Sequence, residues 1–277
     1  MPTSPIDMYF SGQALYGDDF TADEIAEWYA DEKEGYADLA ATEQYDEVYP
    51  YHAFNQAHGF QHLPTGSFRH VLGFGSAVGN EFEPIIDRID RLTILEPSDQ
   101  FVQETVFGTP VTYVKPDVSG TLPFEAETFD LVTCFGVLHH IPNVSHVLGE
   151  MLRCLTPGGY ALIREPIISM GDWRHPRPGL TKRERGIPQD LFRMKIAAAG
   201  FNIIREHYCM FPGLPRVWER LGGHIAYNSS AATRLDTLLS SLMRWNVSYH
   251  ARSKLGKLRP RCLYFVLQRP HSSVLSH

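Results

Sequence analysis

From residue 69 onward the chain alternates short, unbroken apolar runs with stretches whose apolar positions recur every three or four residues. The runs are RHVLGFG, RLTILEPS, VTYVKPD, TFDLVTCFGVLH, YALIREPI, FNIIREHYC and RCLYFVLQR. Apolar runs without a polar face read as strands covered on both sides. Between them GNEFEPIIDRID, SHVLGEMLRCL and PQDLFRMKIAAAG carry helical spacing, and the second of these runs into TPGG, a helix stop. Strands alternating with helices predict an α/β fold, a doubly wound and mostly parallel sheet of seven strands.

The first fifty residues differ. Thr21 and Glu24 have the spacing of a capping box. Ile25, Trp28, Tyr29, Tyr36 and Leu39 follow at helical spacing, so a helix near 22–40 buries an aromatic stripe. Two insertions, 168–187 and roughly 211–260, break the rhythm of the sheet. The expected organisation is an N-terminal helical cap over 1–66 and a core over 67–210 that includes the 168–187 loop. A cap insertion over 211–260 lies between strands six and seven, and the last strand and a tail occupy 261–277. Loops at the carboxyl ends of such strands are where ligands bind.

Charge narrows the partners. The net charge of −7 is uneven: residues 1–50 hold 13 acidic side chains and one lysine, and the remainder 19 acidic and 24 basic ones. An extended nucleic-acid groove needs a broad basic face, so no nucleic-acid partner is expected. A local anion site in the C-terminal two thirds remains open. No apolar run reaches eighteen residues and the N-terminus lacks the pattern of a signal peptide, so neither a membrane span nor export is expected. The four cysteines lack C-x-x-C spacing. Reduced thiols in the cytoplasm and no zinc site are the expectation.

The chemistry concentrates in VLGFGSAVGN, residues 71–80. Gly73 and Gly75 begin a dinucleotide fingerprint, but Val78 stands where its third glycine belongs, which sets a dehydrogenase aside. No Lys-Ser/Thr follows, so it is not a P-loop either. Read from Gly75, the spacing is Gly75-x-Ala77-x-Gly79. Glu96 ends the second strand, Asp117 follows the third, LPFEAETFDLV leads into the fourth, FGVLHHIPN follows it, and EMLRCLTPGGYALIREP leads through the fifth. Together, residues 69–167 resemble the small-molecule branch of the class I S-adenosylmethionine-dependent methyltransferases, similar to the ubiquinone-biosynthesis and sugar enzymes. The resemblance extends loosely to residue 269 and implies a Rossmann-like sheet.

The resemblance implies S-adenosylmethionine as cofactor, with Gly73, Gly75, Ser76, Ala77 and Gly79 lying close to its methionine part. It implies Glu96 and Pro97 at the ribose, Asp117 and Val118 at the adenine, and Phe135 and Gly136 beside the methionine again. The family usually has an acid where this chain has Gly73, and that acid helps orient the cofactor's amine. Here binding is weaker, or another acid substitutes, the acidic N-terminal helix being one source.

His139 and His140 are candidate bases, since a hydroxyl or amine nucleophile must shed a proton and a histidine near neutrality can take it. The plainer reading is that they cap the next helix or pack locally. The 171–188 loop carries Arg174, Arg177, Lys182, Arg183 and Arg185, which either grip an anionic acceptor group or pair with the acidic N-terminus. Glu165, His175 and Trp173 are further substrate candidates, and Tyr29 and Tyr36 either form a lid or pack in the core. The function expected is methyl transfer to a small-molecule acceptor, a sugar or natural-product hydroxyl, without a metal. A non-catalytic cofactor-binding scaffold and an RNA or protein methyltransferase are the alternatives.

Overall fold

The computed structural model describes residues 5–40 and 48–271, with side chains for residues 6–32 and 48–271. The first helices are α1 (Pro5–Ser11), α2 (Ala22–Ala40) and α3 (His52–His58). The capping box forms: the Thr21 N–H donates to Glu24 Oε2 at 2.8 Å, and the Glu24 N–H to Thr21 Oγ1 at 3.4 Å.

The core runs β1 (Val71–Phe74), β2 (Leu92–Leu95), β3 (Thr105–Val106), β4 (Thr109–Val114), β5 (Phe129–Phe135), α4 (Val144–Cys154), β6 (Leu155–Pro166), α5 (Gln189–Ala199), β7 (Asn202–Cys209), α6 (Leu214–Arg220), α7 (Ser230–Leu242) and β8 (Cys262–Gln268). All eight strands form one sheet in the order β3-β4-β2-β1-β5-β6-β8-β7. β1 pairs in parallel with β2 and β5, β2 with β4, and β5 with β6, while β8 runs antiparallel between β6 and β7. Every residue of β1 and β2 is buried, as strands covered on both faces must be. One apolar cluster fills the face under α4 and α5, and a second fills the face under α3.

The sheet has eight strands where seven are expected, because β3 forms a two-residue antiparallel hairpin with β4. Residues 80–88 are a 3₁₀ segment, not an α-helix. It starts at Gly79 in the left-handed region and contains Pro84, which removes an N–H and crowds the preceding turn. TPGG is not a free stop either. α4 ends at Cys154 and β6 begins at Leu155, so the four residues lie inside β6.

The insertion over 211–260 divides. α7 packs on β7 and α3, its buried Asp236 accepting the N–H groups of Met210 and Phe211 at 2.8 and 2.7 Å. Farther on, Tyr249 packs under the 168–187 loop and donates to the Gly186 carbonyl at 2.8 Å. The four cysteines are free and buried, and no helix among the described residues is long and apolar enough to cross a membrane.

Candidate functional site

The strand order reverses between β1 and β5, which opens a crevice at their carboxyl ends. β1 leaves the sheet through three left-handed residues, Gly75 (φ +67°), Ala77 (+46°) and Gly79 (+76°). A Cβ on Gly75 would meet Val137 at 2.7 Å, so only glycine lets this turn close onto the turn after β5. Ala77 holds its conformation despite its methyl group, at a cost of about 1–2 kcal/mol. The surroundings fix it: its N–H donates to Glu96 Oε2 at 3.1 Å, and its carbonyl accepts from the Tyr113 hydroxyl at 3.0 Å. Glu96 Oε1 accepts the Ser98 N–H at 3.1 Å. Burial raises the Glu96 carboxyl above the usual range, against the pull of these two N–H groups and Lys115.

Because residues 80–88 are a 3₁₀ segment, the turn does not lead into an α-helix N-terminus. Gly73 has a spatial reason. A Cβ there would stand 2.5 Å from Ser76 Oγ and 3.0 Å from Phe82 Cε2. The buried acid on this face is Glu81, from the 3₁₀ segment and not from the N-terminal helix. Thr133, the β5 partner of Gly73, donates to Glu81 Oε1 at 3.4 Å. Burial pushes Glu81 up to about 7, with Ser76, Thr133 and Arg164 acting the other way.

The opposite face carries the histidines. Glu165, fully buried on β6, accepts the N–H groups of Val137, Leu138 and His139 at 2.7, 2.8 and 3.3 Å, and bonds His139 Nδ1 at 2.7 Å. His139 Nε2 lies 3.4 Å from Glu184 Oε1. Burial disfavours a charge on His139, but Glu165 and Glu184 outweigh it and raise the ring to about 9. His140 behaves oppositely. Burial and then the neighbouring His139 lower its pKa, although its Nδ1 lies 3.0 Å from Glu32 Oε2 of α2. Glu32 is a further candidate that sequence reasoning missed; its place one turn after Trp28, on the stripe side of α2, was the available signal. Trp28 is fully buried and donates its indole N–H to the His140 carbonyl at 2.7 Å.

The loop residues are largely engaged by the chain itself. Arg183 pairs with Glu27 at 2.6 Å and Asp31 at 2.5 Å, and Lys182 pairs with Asp31 at 2.9 Å. Arg185, fully buried, donates to the carbonyls of Tyr16, Leu138, His139, Ile141 and Pro142. Arg177 donates to the carbonyls of Met170, Thr181, Lys182 and Glu184. Arg174 pairs with Asp172 of its own loop at 2.6 Å, His175 is exposed beside the same carboxylate, and Trp173 stacks on Phe10 and Tyr16. The substrate candidates Glu165, Arg174, His175 and Arg183 therefore serve the turn, the loop and the cap. Tyr29 is half-buried on α2, and burial followed by Asp117 and Glu32 pushes its phenol up to about 12. The Tyr36 side chain lies outside the described residues.

Asp117 is exposed and accepts the Ser119 N–H at 2.8 Å, with Val118 exposed beside it. Pro97 is exposed, its carbonyl accepting from Lys115 at 2.8 Å. Phe135 and Gly136 (φ +75°) end β5 beside the glycine turn. A turn that a Cβ would block, with a buried carboxylate at the next strand end, fits a cofactor bound through its ribose and a backbone cradle. His139, His140 and Glu184 also bring one donor atom each within 4.8 Å of one another, a spacing that a single cation could span.

Residues 72–163 match the family described as a methyltransferase domain. Over 92 residues the chain is 34% identical to the ubiquinone/menaquinone biosynthesis C-methyltransferase UbiE of Idiomarina loihiensis, a match covering 33% of this chain and 36% of that protein. The chain thus spans about a third of the length of that curated relative. An S-adenosylmethionine-dependent methyltransferase from Mesorhizobium loti superposes with a TM-score of 0.50 at 17% identity, covering 75% of this chain and 94% of that one. The phosphoethanolamine N-methyltransferase 2 of Haemonchus contortus, solved with S-adenosyl-L-methionine, superposes with a TM-score of 0.53 at 15% identity, covering 78% of this chain and 52% of that one. At such identities the solved structures speak for the fold and the sequence match for the domain: this chain has the fold of the S-adenosylmethionine-dependent methyltransferases, and its residues 72–163 match a methyltransferase domain.

Proposed function

We propose that this protein uses S-adenosylmethionine to methylate a hydroxyl of a small, enclosed acceptor, and that His140 takes the hydroxyl proton. The observation that carries the reading is the His140–Glu32 contact at 3.0 Å, beside the turn that closes on Gly75. The two proteins described above are named for C-methylation in quinone biosynthesis and for N-methylation of phosphoethanolamine. Their names support a small acceptor, whereas the choice of oxygen rests on the base.

When bound, the cofactor supplies a sulfonium methyl group that transfers by in-line displacement, a reaction governed by positioning and exclusion of water. Glu96 would accept from the ribose hydroxyls and Asp117 from the adenine amino group, while the glycine turn would bring backbone close to the methionine part. Glu32 bonds Nδ1 of His140 and orients the imidazole. His139 is held protonated by Glu165 and Glu184 and keeps its neighbour's pKa low, so His140 is neutral and basic at pH 7. α2, anchored by Trp28, covers the pair and excludes water. The chemistry needs no metal in this reading.

The test is the pH dependence of kcat in an acceptor screen that starts with quinol hydroxyls. The wild-type rate is expected to rise with pH through a value below 6.5, set by His140 among Glu32, His139 and Glu184. His140→Ala should cost about 10²–10⁴-fold in kcat. Glu32→Gln should move the rising limb to lower pH, since it removes a group that raises the ring's pKa. Dialysis against EDTA should leave the rate unchanged; loss on chelation and recovery with a divalent cation would reassign His139, His140 and Glu184 as ligands. Gly73 in place of an acid favours a second reading, a non-catalytic cofactor-binding domain, for which binding without turnover of any acceptor is the signature.

A further inference from the structure

Arg164 and Glu165 are neighbours on β6 and point to opposite faces of the sheet. Glu165 is satisfied four times over, whereas Arg164 is not. Its side chain is buried, only 7% of the residue being exposed, and its Nη1 has no hydrogen-bond partner. No carboxylate among the described residues lies within ion-pair distance of it. What surrounds the guanidinium is aromatic: the ring centroids of Tyr51, Phe135 and Phe54 lie 4.2, 5.5 and 5.7 Å from it. Cation–π contact steadies a guanidinium but does not satisfy its N–H groups, and a buried charge without an acceptor costs several kcal/mol. A second orphan lies alongside. Tyr264, opposite Arg164 in the β6–β8 register, buries its hydroxyl without a partner.

This vacancy of acceptors has a carboxylate near it that is itself out of place. Glu81 is buried on the same face of the sheet and accepts from Thr133, and Arg164 acts to lower its pKa. Thr133 is two residues before Phe135, the β5 partner of Arg164, and it pairs with Gly73. Among the described residues the face therefore presents, at the carboxyl edge of β1, β5 and β6, one cation without a paired carboxylate and one buried acid. Position 73 offers no side chain, and the turn leads into a 3₁₀ segment and not an α-helix.

We infer that Arg164 and Glu81 form the subsite for an α-amino-acid zwitterion, the methionyl end of the cofactor, an inference that rests on the cofactor reading above. The Arg164 guanidinium donates to the α-carboxylate and the Glu81 carboxylate accepts from the α-ammonium. The acid that Gly73 does not offer is supplied eight residues later in the chain, and a full charge from β6 serves where no α-helix follows the turn. The aromatic ring of Tyr51, Phe54 and Phe135 holds that charge in place when the subsite is empty and keeps water from competing with the carboxylate when it is filled.

The experiment uses two ligands that differ only in this end. S-adenosylhomocysteine carries the amino acid, whereas 5′-methylthioadenosine carries the same nucleoside and sulfur without it. Calorimetric titration of the full chain should show that Arg164→Met weakens S-adenosylhomocysteine at least 30-fold and leaves methylthioadenosine within 2-fold. Glu81→Gln should weaken the first about 10-fold and spare the second. Arg164→Met should also raise the Tm of the ligand-free protein, because a buried unpaired charge is replaced by an apolar chain of similar length. Equal losses for both ligands, or a lower Tm with the preference for S-adenosylhomocysteine intact, would make Arg164 a structural residue and overturn the assignment. Failure of the wild type to bind either ligand overturns the cofactor reading itself, a different outcome from binding both without preference, which overturns only the subsite.

Discussion

Glu96 shows how a single carboxylate joins two strand ends. It accepts one N–H from the glycine turn and one from the residues after β2, and burial makes those bonds matter. Glu96→Ala should weaken S-adenosylmethionine binding by an order of magnitude or more, about 1.5–3 kcal/mol for a charge-assisted pair, as read by calorimetry, with far-UV circular dichroism as the control for folding. The positions of such residues were legible in the sequence because they are set locally. Gly75, Ala77 and Gly79 sit within one turn, and Glu96 falls at the end of the next strand. Glu32, Glu81 and Arg164 were not legible, because each acquires its role from a partner brought by the fold. Glu32 is 108 residues from His140, and Arg164 faces rings from α3 and β5. The loop arginines misled for the same reason. Charge in a loop says nothing about which oxygen it meets, and Arg185 meets five carbonyl groups.

Among the elements, β6 does two jobs with one pleat. Its inward glutamate gathers the turn after β5, three N–H groups and one imidazolium onto one carboxylate. Glu165→Gln leaves that imidazolium buried beside a neutral amide and should cost about 3–5 kcal/mol, measured by denaturant unfolding. The pH dependence follows from the same contact. The folded pKa of His139, about 9, lies above its ordinary 6.5, so the stabilisation is complete below 6.5 and is lost as pH rises through 9. The wild-type Tm should fall over that window, and the fall should shrink in Glu165→Gln. Unbroken apolar runs made seven of the eight strands readable. β3 escaped because two residues carry no periodicity. The helix expected at 80–88 failed because its apolar spacing is helical while Pro84 forbids the matching hydrogen bonds. TPGG has the composition of a stop, yet it continues as strand because β5 and β8 offer its neighbours a ladder on either side.

Across the whole molecule, the uneven charge of the sequence becomes a seam. The acidic N-terminal half of the cap meets the basic loop through Glu27, Asp31, Lys182 and Arg183, and Asp18 meets Lys195 of α5 at 2.5 Å. Asp31→Asn removes two of these contacts, and hydrogen exchange of α2 should accelerate several-fold while the sheet stays protected. That seam bears on chemistry through Trp28 and Glu32, which reach His140 from the same helix. In the proposed mechanism the base and its orienting partner sit on different elements, so the pair is complete only while α2 stays docked on the turn after β5. Any displacement of α2 would take Glu32 from the imidazole and Trp28 from the His140 carbonyl together. On that reading, the seam that docks α2 also sets when the base is complete.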